Sequence, residues 1–340
     1  MENLKIYLDK DINQELIKSK KIAVIGFGSQ GYGQSMNLKD SGCDVVLGLR
    51  QGGKSDIKAK QYGFKTMSIE DAVTWADIVQ VLIPDELQAE VYENQIKPNM
   101  RAGQYLMFSH GFNIHYKKIT APSDVNVIMV APKGPGHTVR SQYEEGKGVP
   151  SLVAIYQDPS GDSKEVSLSY ASAIGAGRAG IIETTFKEET ETDLFGEQAV
   201  ICGGVSALMK AGFEVLTEAG YSPHMAYFEV LHEMKLIIDL VNQGGLADMR
   251  YSISNTAEYG DMTRGPKVIG EASKNAMREI LKEIQSGAFA DEFTSEMSSG
   301  CVNFNNLRQE NANHQIETIG KEIRDSFVWG NDKIIDRNKN

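Results

Sequence analysis

Short apolar runs recur along the N-terminal half of this 340-residue chain, and each is followed by a turn and a longer segment. Short runs rich in Val and Ile are typical of strands that are buried on both faces of a parallel sheet. The segments between them are long enough for crossover helices. The pattern predicts a doubly wound, Rossmann-like α/β sheet with strands at residues 22–25, 45–47, 78–83, 105–108, 125–130 and 151–156.

The C-terminal half of the chain has the spacing of helices instead. Apolar residues recur at helical intervals in residues 197–219 and 225–242. Within these segments, residues 199–202 and 235–241 are apolar on nearly every side, which is typical of helices buried in a core or in a subunit interface. We expect a Rossmann-like domain at residues 1–182, an all-helical domain at 183–329 that takes part in homo-oligomerisation, and a C-terminal tail at 330–340.

Composition narrows the classes of function. A formal net charge of −11 argues against a nucleic-acid surface, because such a surface needs clustered Lys and Arg. The three cysteines, Cys43, Cys202 and Cys301, are far apart, so neither a zinc site nor a disulfide framework is indicated. The N-terminus lacks the apolar core of a signal peptide, and no apolar run approaches the ~20 residues of a membrane span. We expect a cytoplasmic protein without nucleic-acid or membrane partners.

A glycine-rich motif, GFGSQG at residues 26–31, follows the first predicted strand and opens a predicted helix. In this context the motif is typical of a dinucleotide cradle. Gly26 would permit the tight turn, Gly28 would let the pyrophosphate approach the backbone, and Gly31 would let the helix pack closely. The helix N-terminus would present free N–H groups to the anion. A strand-to-helix turn without a ligand is the alternative.

The second predicted strand ends in a basic loop, RQGGKSD at residues 50–56. A fold that binds NAD usually places an acid near this point for the ribose hydroxyls. Here Arg50, Lys54 and Ser55 offer a guanidinium, an ammonium and a hydroxyl, the groups that bind a 2′-phosphate. We therefore expect NADPH as the cofactor. A solvated basic loop is the alternative, and Asp56 would repel a phosphate if it pointed inward, which leaves some use of NADH open.

Two pairs of acids have i,i+4 spacing, Asp193 with Glu197 and Glu229 with Glu233. On a helix each pair shares one face. Apolar residues surround both pairs in sequence, and uncompensated burial of four carboxylates would be costly. Oxygen ligands favour Mg²⁺ or Mn²⁺ over zinc, so the pairs are candidate ligands of two such ions. Acids on the surface of ordinary helices are the alternative.

Two longer segments resemble the signature segments of ketol-acid reductoisomerases. They are VAPKGPGHTVR at residues 130–140 and GGLADMRYSISNTAEYGD at residues 244–261. The similarity extends from Phe27 through the run Asp85–Gln88, the run SHGF at residues 109–112 and both acidic pairs to about Trp329. The length of the chain is similar to that of the short, class I form of this family.

The resemblance implies an N-terminal dinucleotide-binding domain and a knotted, helical C-terminal domain that forms a dimer, with each active site drawing on two subunits. It implies NADPH, two Mg²⁺ ions per site and acetohydroxy acid substrates. Asp193 would bridge the two ions, Glu197 would complete one, and Glu229 and Glu233, from the partner chain, would complete the other. Ser254 would bind the substrate carboxylate.

The resemblance also assigns roles in the N-terminal half. His110 is the family's active-site histidine, and Lys133 would lie near the metals and the substrate. Glu233 and a water oriented by His110 are the candidate proton carriers. Without the resemblance, His110 and Lys133 would be ordinary loop residues. The positions expected to line the cofactor are Gly26, Phe27, Gly28, Ser29, Gln30, Gly31, Arg50, Lys54, Ser55, Asp85, Glu86, Leu87, Gln88 and Gly136.

Departures from the family pattern are few and lie at the nucleotide end. Phe27 stands where Tyr is common, and Tyr32 and Gly33 replace a frequent His-Ala. Gly53 stands where many members have a Ser that holds the 2′-phosphate, and Asp56 replaces a large apolar residue. These departures concern the choice between NADPH and NADH.

Two rival functions remain open. A simple NADP-dependent hydroxyacid dehydrogenase would pair a similar nucleotide domain with a helical half but would need no metal. An NADPH-binding regulatory module would bind the cofactor without turnover.

Overall fold

In the computed structural model, which describes residues 4–326, the chain divides into two compact units between Thr190 and Glu191. The predicted boundary at 182/183 falls a few residues earlier, because the division lies inside the helix Phe186–Gly196. The predicted tail at residues 330–340 lies outside the described residues.

A nine-stranded sheet forms the centre of the N-terminal unit. Its strands in chain order are β1 (Ile6–Tyr7), β2 (Lys21–Ile25), β3 (Asp44–Gly48), β4 (Lys65–Met67), β5 (Ile78–Val81), β6 (Tyr105–Phe108), β7 (Asn126–Pro132), β8 (Ser151–Gln157) and β9 (Ile181–Glu183). Their order across the sheet is β1-β9-β8-β7-β6-β5-β2-β3-β4. The chain winds from β2 towards one edge and from β5 towards the other, so the order reverses between β2 and β5.

The six strands from β2 to β7 are parallel, which confirms the doubly wound sheet expected from the apolar runs. Ile22 pairs with Val45 on one side and with Ile78 on the other, and all four residues of 22–25 are buried. The parallel arrangement does not extend to β8, which pairs antiparallel with β7. Its apolar run could not reveal this, because direction depends on the path of the connection and not on the strand itself.

Helices cover the sheet, and buried side chains form an apolar cluster on each of its faces. The helices of this unit are α1 (Glu15–Lys18), α2 (Ser29–Asp40), α3 (Lys54–Gln61), α4 (Ile69–Trp75), α5 (Asp85–Val91), α6 (Phe112–His115), α7 (Gly136–Glu144) and α8 (Ser163–Ala173), and α9 (Phe186–Gly196) crosses the boundary. A π-helical turn at Tyr92–Ile96 extends α5.

The C-terminal unit is helical throughout its described part, as the periodicity predicts. Its helices are α10 (Gly203–Glu218), α11 (Pro223–Tyr227), α12 (Met234–Ser252), α13 (Asn255–Val268), α14 (Glu271–Ser286), α15 (Ala288–Ser298), α16 (Val302–Ala312) and α17 (Gln315–Ser326). Phe213, Tyr227 and Ile319 belong to its small buried cluster. Helix α12 is kinked at Gly245, whose φ of 75° takes the backbone out of the helical region.

Many large apolar side chains of this unit are exposed in the single chain. Val200 and Ile201 are exposed, and so are Leu236 and Ile238 of α12. The sequence left open whether these apolar helices belong to a core or to an interface, and their exposure excludes the core of the single chain. The helical run Phe186–Glu218 is also long and apolar enough to cross a membrane, by length and composition only, which differs from the expectation that no run approaches that length.

Candidate active site

The glycine motif forms the turn between β2 and α2. Gly26 has a φ of 106°, a conformation that L side chains rarely adopt. A Cβ at Gly31 would lie 2.4 Å from the Gly26 carbonyl oxygen, whereas a Cβ at Gly28 would meet nothing within 4 Å. The turn therefore closes tightly on itself at Gly26 and Gly31 and is open at Gly28, which suits the approach of a pyrophosphate.

Helix α2 begins at Ser29, so the backbone N–H groups of Ser29, Gln30 and Gly31 belong to its first turn and have no partner within the helix. These donors, with the positive end of the helix dipole, form a site suited to an anion. The ring of Phe27 is buried against Tyr32 and Phe64, so at this position the backbone and not the ring is the part available to a ligand.

A second glycine contact joins α2 to α7. A Cβ at Gly136 would lie 2.2 Å from the carbonyl carbon of Ser29, and a Cβ at Gly33 would lie 2.3 Å from the carbonyl oxygen of Gly136. The side-chain amide of Gln30 donates to the Gly134 carbonyl at 2.9 Å. Gly136 thus allows the first turn of α7 to lie directly against the glycine turn, and the loop after Lys133 is tied to it.

A cavity of about 1040 Å³ lies between the glycine turn and the basic loop. The side chains of Arg50 and Lys54 are exposed and make no ion pair within residues 4–326. Glu70 also lines the wall, so the cavity is not uniformly cationic. The lining residues are Gly26, Phe27, Gly28, Gly48, Leu49, Arg50, Gln51, Gly53, Lys54, Ser55, Ser68, Ile69, Glu70, Leu82, Ile83, Pro84, Leu87, Val91 and Gln95.

Asp56 is buried beneath this loop and does not extend into the cavity. Its carboxylate accepts hydrogen bonds from the Gly52 N–H at 2.9 Å and from the Lys60 ammonium at 2.8 Å. The bond from Lys60, with smaller contributions from the Thr66 hydroxyl and the Gly52 N–H, lowers the pKa of Asp56 to about 2. The carboxylate therefore holds the turn before α3 and is neutralised locally, which weakens its repulsion of a bound phosphate.

The run from Asp85 to Gln88 forms the first turn of α5. Only Leu87 of this run lines the cavity. The buried amide of Gln88 donates to the Ile83 carbonyl at 2.9 Å and to the Asp85 carboxylate at 3.0 Å. The Gln88 amide therefore supports the segment after β5. Glu86, the residue before Leu87, does not line the cavity.

The carboxylate of Glu189 joins two loops of the N-terminal unit to α9. It lies 2.8 Å from the Lys133 ammonium and 3.3 Å from His110 Nδ1, and it accepts the Gly111 backbone N–H at 3.0 Å. His110 follows β6, Lys133 follows β7, and Glu189 lies on α9. The two residues that the family resemblance assigned to the active site therefore share one buried acid.

Glu189 is ionised in this environment. Its burial opposes the charge, but hydrogen bonding to His110 and the charges of His110 and Lys133 outweigh burial and lower the pKa of Glu189 to about 2. Gly111 permits its loop to approach α9 closely, because a Cβ at this position would lie 2.3 Å from the Thr190 hydroxyl. A fixed carboxylate of this kind orients a histidine ring and an ammonium together.

Sequence reasoning missed Glu189, although a signal for it was present. Glu189, Asp193 and Glu197 form one i,i+4 series, but the apolar residues Leu194 and Phe195 lie between the last two and pointed to that pair alone. The burial of Glu189 depends on its partners His110 and Lys133, which lie on distant segments.

Three of the predicted metal ligands lie in or directly after π-helical turns of the C-terminal unit, whereas Asp193 lies in α9. Glu197 opens the turn Glu197–Ile201, in which the Cys202 N–H donates to the Glu197 carbonyl at 3.1 Å. Glu229 lies in the turn Phe228–His232, and Glu233 follows it. Such widened turns are frequent at functional sites in proteins.

The expected burial of these acids is wrong for the single chain. Glu197, Glu229 and Glu233 are exposed, and Asp193 is half-buried. Burial therefore does not by itself require a cation here. The donor set still consists of carboxylate oxygens alone, which suits a hard divalent cation such as Mg²⁺.

Ser254 is the N-cap of α13, and its hydroxyl oxygen accepts the Ala257 N–H at 3.2 Å. The residue is exposed, and within residues 4–326 no group accepts its hydroxyl proton. The hydroxyl can therefore cap the helix and still donate to a carboxylate.

Comparison with known proteins identifies relatives of both units. Residues 16–180 match the family model described as acetohydroxy acid isomeroreductase, NADPH-binding domain, and residues 186–329 match the one described as ketol-acid reductoisomerase, C-terminal domain. A solved structure of an NADH-preferring ketol-acid reductoisomerase from an uncultured archean is 50% identical, with a TM-score of 0.93, over 96% of this chain and 100% of that chain.

More distant structures share the fold alone. A putative oxidoreductase from Jannaschia sp. CCS1 is 15% identical with a TM-score of 0.61, over 78% of this chain and 97% of its own. A semialdehyde dehydrogenase NAD-binding protein from Cupriavidus necator, in complex with calcium and NAD, is 19% identical with a TM-score of 0.60, over 78% of this chain and 99% of its own.

Proposed function

Since the chain belongs to the ketol-acid reductoisomerase family, we propose that it converts 2-acetolactate and 2-aceto-2-hydroxybutyrate into 2,3-dihydroxy acids. The conversion joins a Mg²⁺-assisted alkyl shift to reduction by NADPH, in the synthesis of valine, leucine and isoleucine. The observation that carries this proposal is the Glu189 carboxylate, which joins His110 and Lys133 in one cluster.

The proposed reaction builds negative charge on oxygen in both of its stages. When bound, two Mg²⁺ ions would polarise the substrate carbonyl and stabilise charge on the neighbouring oxygen, and NADPH would supply the hydride. Asp193, Glu197, Glu229 and Glu233 are the residues that would hold the ions, with Glu229 and Glu233 from the partner chain as the family resemblance implies.

The chain's own residues would bind the substrate and move its protons. Lys133 carries a fixed positive charge, oriented by Glu189, that would stabilise an anionic substrate. His110, hydrogen-bonded through Nδ1 to Glu189, would orient a water through its other ring nitrogen. Glu233 is exposed and would carry a proton to or from the substrate. Ser254 would donate its free hydroxyl proton to the substrate carboxylate.

The choice of nicotinamide cofactor is the second part of the proposal. Arg50, Lys54 and Ser55 line the cavity and supply the groups that a 2′-phosphate requires, which supports NADPH. Asp56 is neutralised locally by Lys60 and does not oppose this assignment. Gly53, which lacks the hydroxyl of a Ser, and the NADH preference of the 50% identical relative favour NADH as the alternative.

A homodimer, or a larger assembly of the same chain, is the third part. The exposed apolar side chains of the C-terminal unit are the surface that a second copy would cover. They include Leu208, Val215, Leu236, Ile238, Leu246, Tyr259 and Met262. Multi-angle light scattering on the full chain tests this part, and a monomer at micromolar concentration would contradict it. The cytoplasmic location stays a prediction.

One assay tests the reaction and ranks the cofactors. Oxidation of NADPH is followed with 2-acetolactate in the presence of Mg²⁺, with EDTA, and with NADH in place of NADPH. We expect turnover that needs Mg²⁺ and is faster with NADPH. Turnover that survives EDTA would favour a simple dehydrogenase, and cofactor binding without any turnover would favour a regulatory module.

A further inference from the structure

A buried network of polar side chains lies beside the glycine turn and takes no part in the proposed function as stated so far. Gln34 on α2, Gln80 on β5 and Tyr170 on α8 are each fully buried. Buried amide and hydroxyl groups are costly unless they are hydrogen-bonded, and every polar atom of these three side chains except Gln80 Oε1 has a partner within the described residues. The side-chain amides of Gln34 and Gln80 converge on one hydroxyl, that of Ser109.

Ser109 receives two hydrogen bonds from this network. The side-chain amide of Gln34 donates to Ser109 Oγ at 3.0 Å, and that of Gln80 donates to the same atom at 2.9 Å. A hydroxyl oxygen has two lone pairs, and these two donors occupy both. The Ser109 proton is therefore left to point away from the network, and within residues 4–326 no group accepts it.

The orientation of Gln34 is itself held in place. Its amide oxygen accepts the Tyr170 hydroxyl at 2.9 Å, and its amide nitrogen also donates to the side-chain oxygen of Gln30 at 3.0 Å. Gln30 belongs to the first turn of α2 in the nucleotide cradle. The network therefore links the cradle to Ser109 through buried side chains that have no alternative partner in water.

The position of Ser109 in the sheet indicates what its free proton would meet. Ser109 follows the last residue of β6 and is half-buried. Dinucleotides bind across the crevice at the carboxyl ends of the strands, where the strand order reverses, here between β2 and β5. The basic loop after β3 lies on the adenosine side of this crevice, so β6, on the other side, lies beneath the nicotinamide half.

We propose that the Ser109 hydroxyl donates a hydrogen bond to a ribose or phosphate oxygen in the nicotinamide half of the bound dinucleotide, and that Gln34 is a positioning residue that aims it. The inference rests on the dinucleotide binding proposed above and adds a contact to it. Since this half is identical in NADPH and NADH, the contact strengthens the binding of both cofactors equally.

The contact is tested by Ser109→Ala in the full chain, with dissociation constants of NADPH and NADH measured by cofactor fluorescence in the absence of substrate. One neutral hydrogen bond corresponds to a loss of about two- to tenfold in affinity. We expect a loss of this size for both cofactors, and Ser109→Thr, which keeps a hydroxyl, should recover most of it. Unchanged constants, or a loss confined to NADPH, would overturn the proposal.

The matched control is Ser35→Ala. Ser35 is a fully buried serine on α2, and its hydroxyl has no hydrogen-bond partner within the described residues. Its removal should leave both dissociation constants unchanged. Equal losses in the two serine variants would assign the effect to packing of the domain and would overturn the contact.

The positioning role of Gln34 is tested by a double-mutant cycle. Gln34→Met removes both amide donors while keeping the volume of the side chain, and it should weaken NADPH and NADH alike. In the Ser109→Ala background the same change should add little further loss, because Gln34 acts through that hydroxyl. Additive losses would overturn its role. If Gln34→Met does not fold, Tyr170→Phe, which deletes a single hydroxyl, completes the same cycle.

Failure of this inference can be told apart from failure of the proposed function. A chain that binds both cofactors in a Ser109-dependent manner but does not turn over acetolactate would overturn the reaction and support the contact. A chain that turns over acetolactate but whose cofactor binding does not depend on Ser109 would support the reaction and overturn the contact. A chain that binds neither cofactor would overturn both.

Discussion

The ammonium of Lys133 and the carboxylate of Glu189 lie 2.8 Å apart, although 56 positions separate them in the sequence. Lys133 follows a buried strand and Glu189 lies in the helix that ends the N-terminal unit. The pair gives a nearly buried acid a charged partner, and His110 provides the second. A buried charge with two such partners remains ionised and holds both in a defined orientation.

Glu189→Gln should lower kcat for acetolactate by on the order of 10²-fold, because it removes the charge that orients His110 towards its water and Lys133 towards the anionic substrate. The amide keeps the shape of the side chain, so the thermal midpoint should stay close to that of the wild-type chain. Steady-state kinetics and a thermal melt of the same preparation give both quantities.

Glu188→Gln is the control for that variant. Glu188 is the preceding residue, is exposed and accepts a hydrogen bond from Thr184 at the surface. It should retain full activity. A Glu189→Gln enzyme that keeps wild-type kcat would mean that the cluster is only structural.

Arg50→Glu should weaken NADPH by about 10- to 100-fold, the effect of losing one charge-assisted hydrogen bond to a 2′-phosphate. NADH lacks that phosphate and should be affected far less. The ratio of the two dissociation constants is the measurement, and Lys65→Glu, an exposed cation on β4, serves as control. Equal losses for NADPH and NADH would contradict binding of the 2′-phosphate by this loop.

Asp56→Asn should lower the thermal midpoint at neutral pH, because the carboxylate that holds the Gly52 N–H and Lys60 is replaced by a neutral group. The pKa of Asp56 in the folded chain, about 2, lies below its ordinary value of 3.8. Its contribution is therefore complete above pH 3.8 and is lost as the pH falls from 3.8 towards 2.

The midpoints of the wild-type chain and the Asp56→Asn variant should converge over that pH interval. Lys60→Met, which removes the largest cause of the lowered pKa, should shift the loss of stability in an otherwise wild-type chain to higher pH. A difference between wild type and Asp56→Asn that is constant from pH 5 to pH 2 would rule out the ionised carboxylate as its origin.

Asp193→Asn should abolish Mg²⁺-dependent turnover of acetolactate while leaving the dissociation constant of NADPH unchanged, because the two functions use separate groups. Cofactor fluorescence and the rate of NADPH oxidation at increasing Mg²⁺ concentration separate these effects. Glu292→Gln, an exposed acid on α15, is the control. Turnover by Asp193→Asn that is full and independent of Mg²⁺ would exclude the reductoisomerase reaction.

Several features of this protein could be predicted from the order of its residues. The strands β2, β3, β5, β6 and β7 follow from short apolar runs, because a strand buried on both faces must be apolar at nearly every position. The glycine turn follows from its place between a strand and a helix. Gly26 has the positive φ that the tight turn requires, as the sequence predicts. These are local constraints, and residues close together in sequence are sufficient to express them.

The tertiary structure decided what depends on contacts between distant segments. The antiparallel direction of β8, the burial of Glu189 and the orientation of Asp56 away from the cavity each depend on partners that no local pattern identifies. The same holds for the apolar helices 199–202 and 235–241, since a run that is apolar on every side suits a core and an interface equally well. Only the positions of neighbouring elements separate the two cases, because burial is a property of the folded chain as a whole.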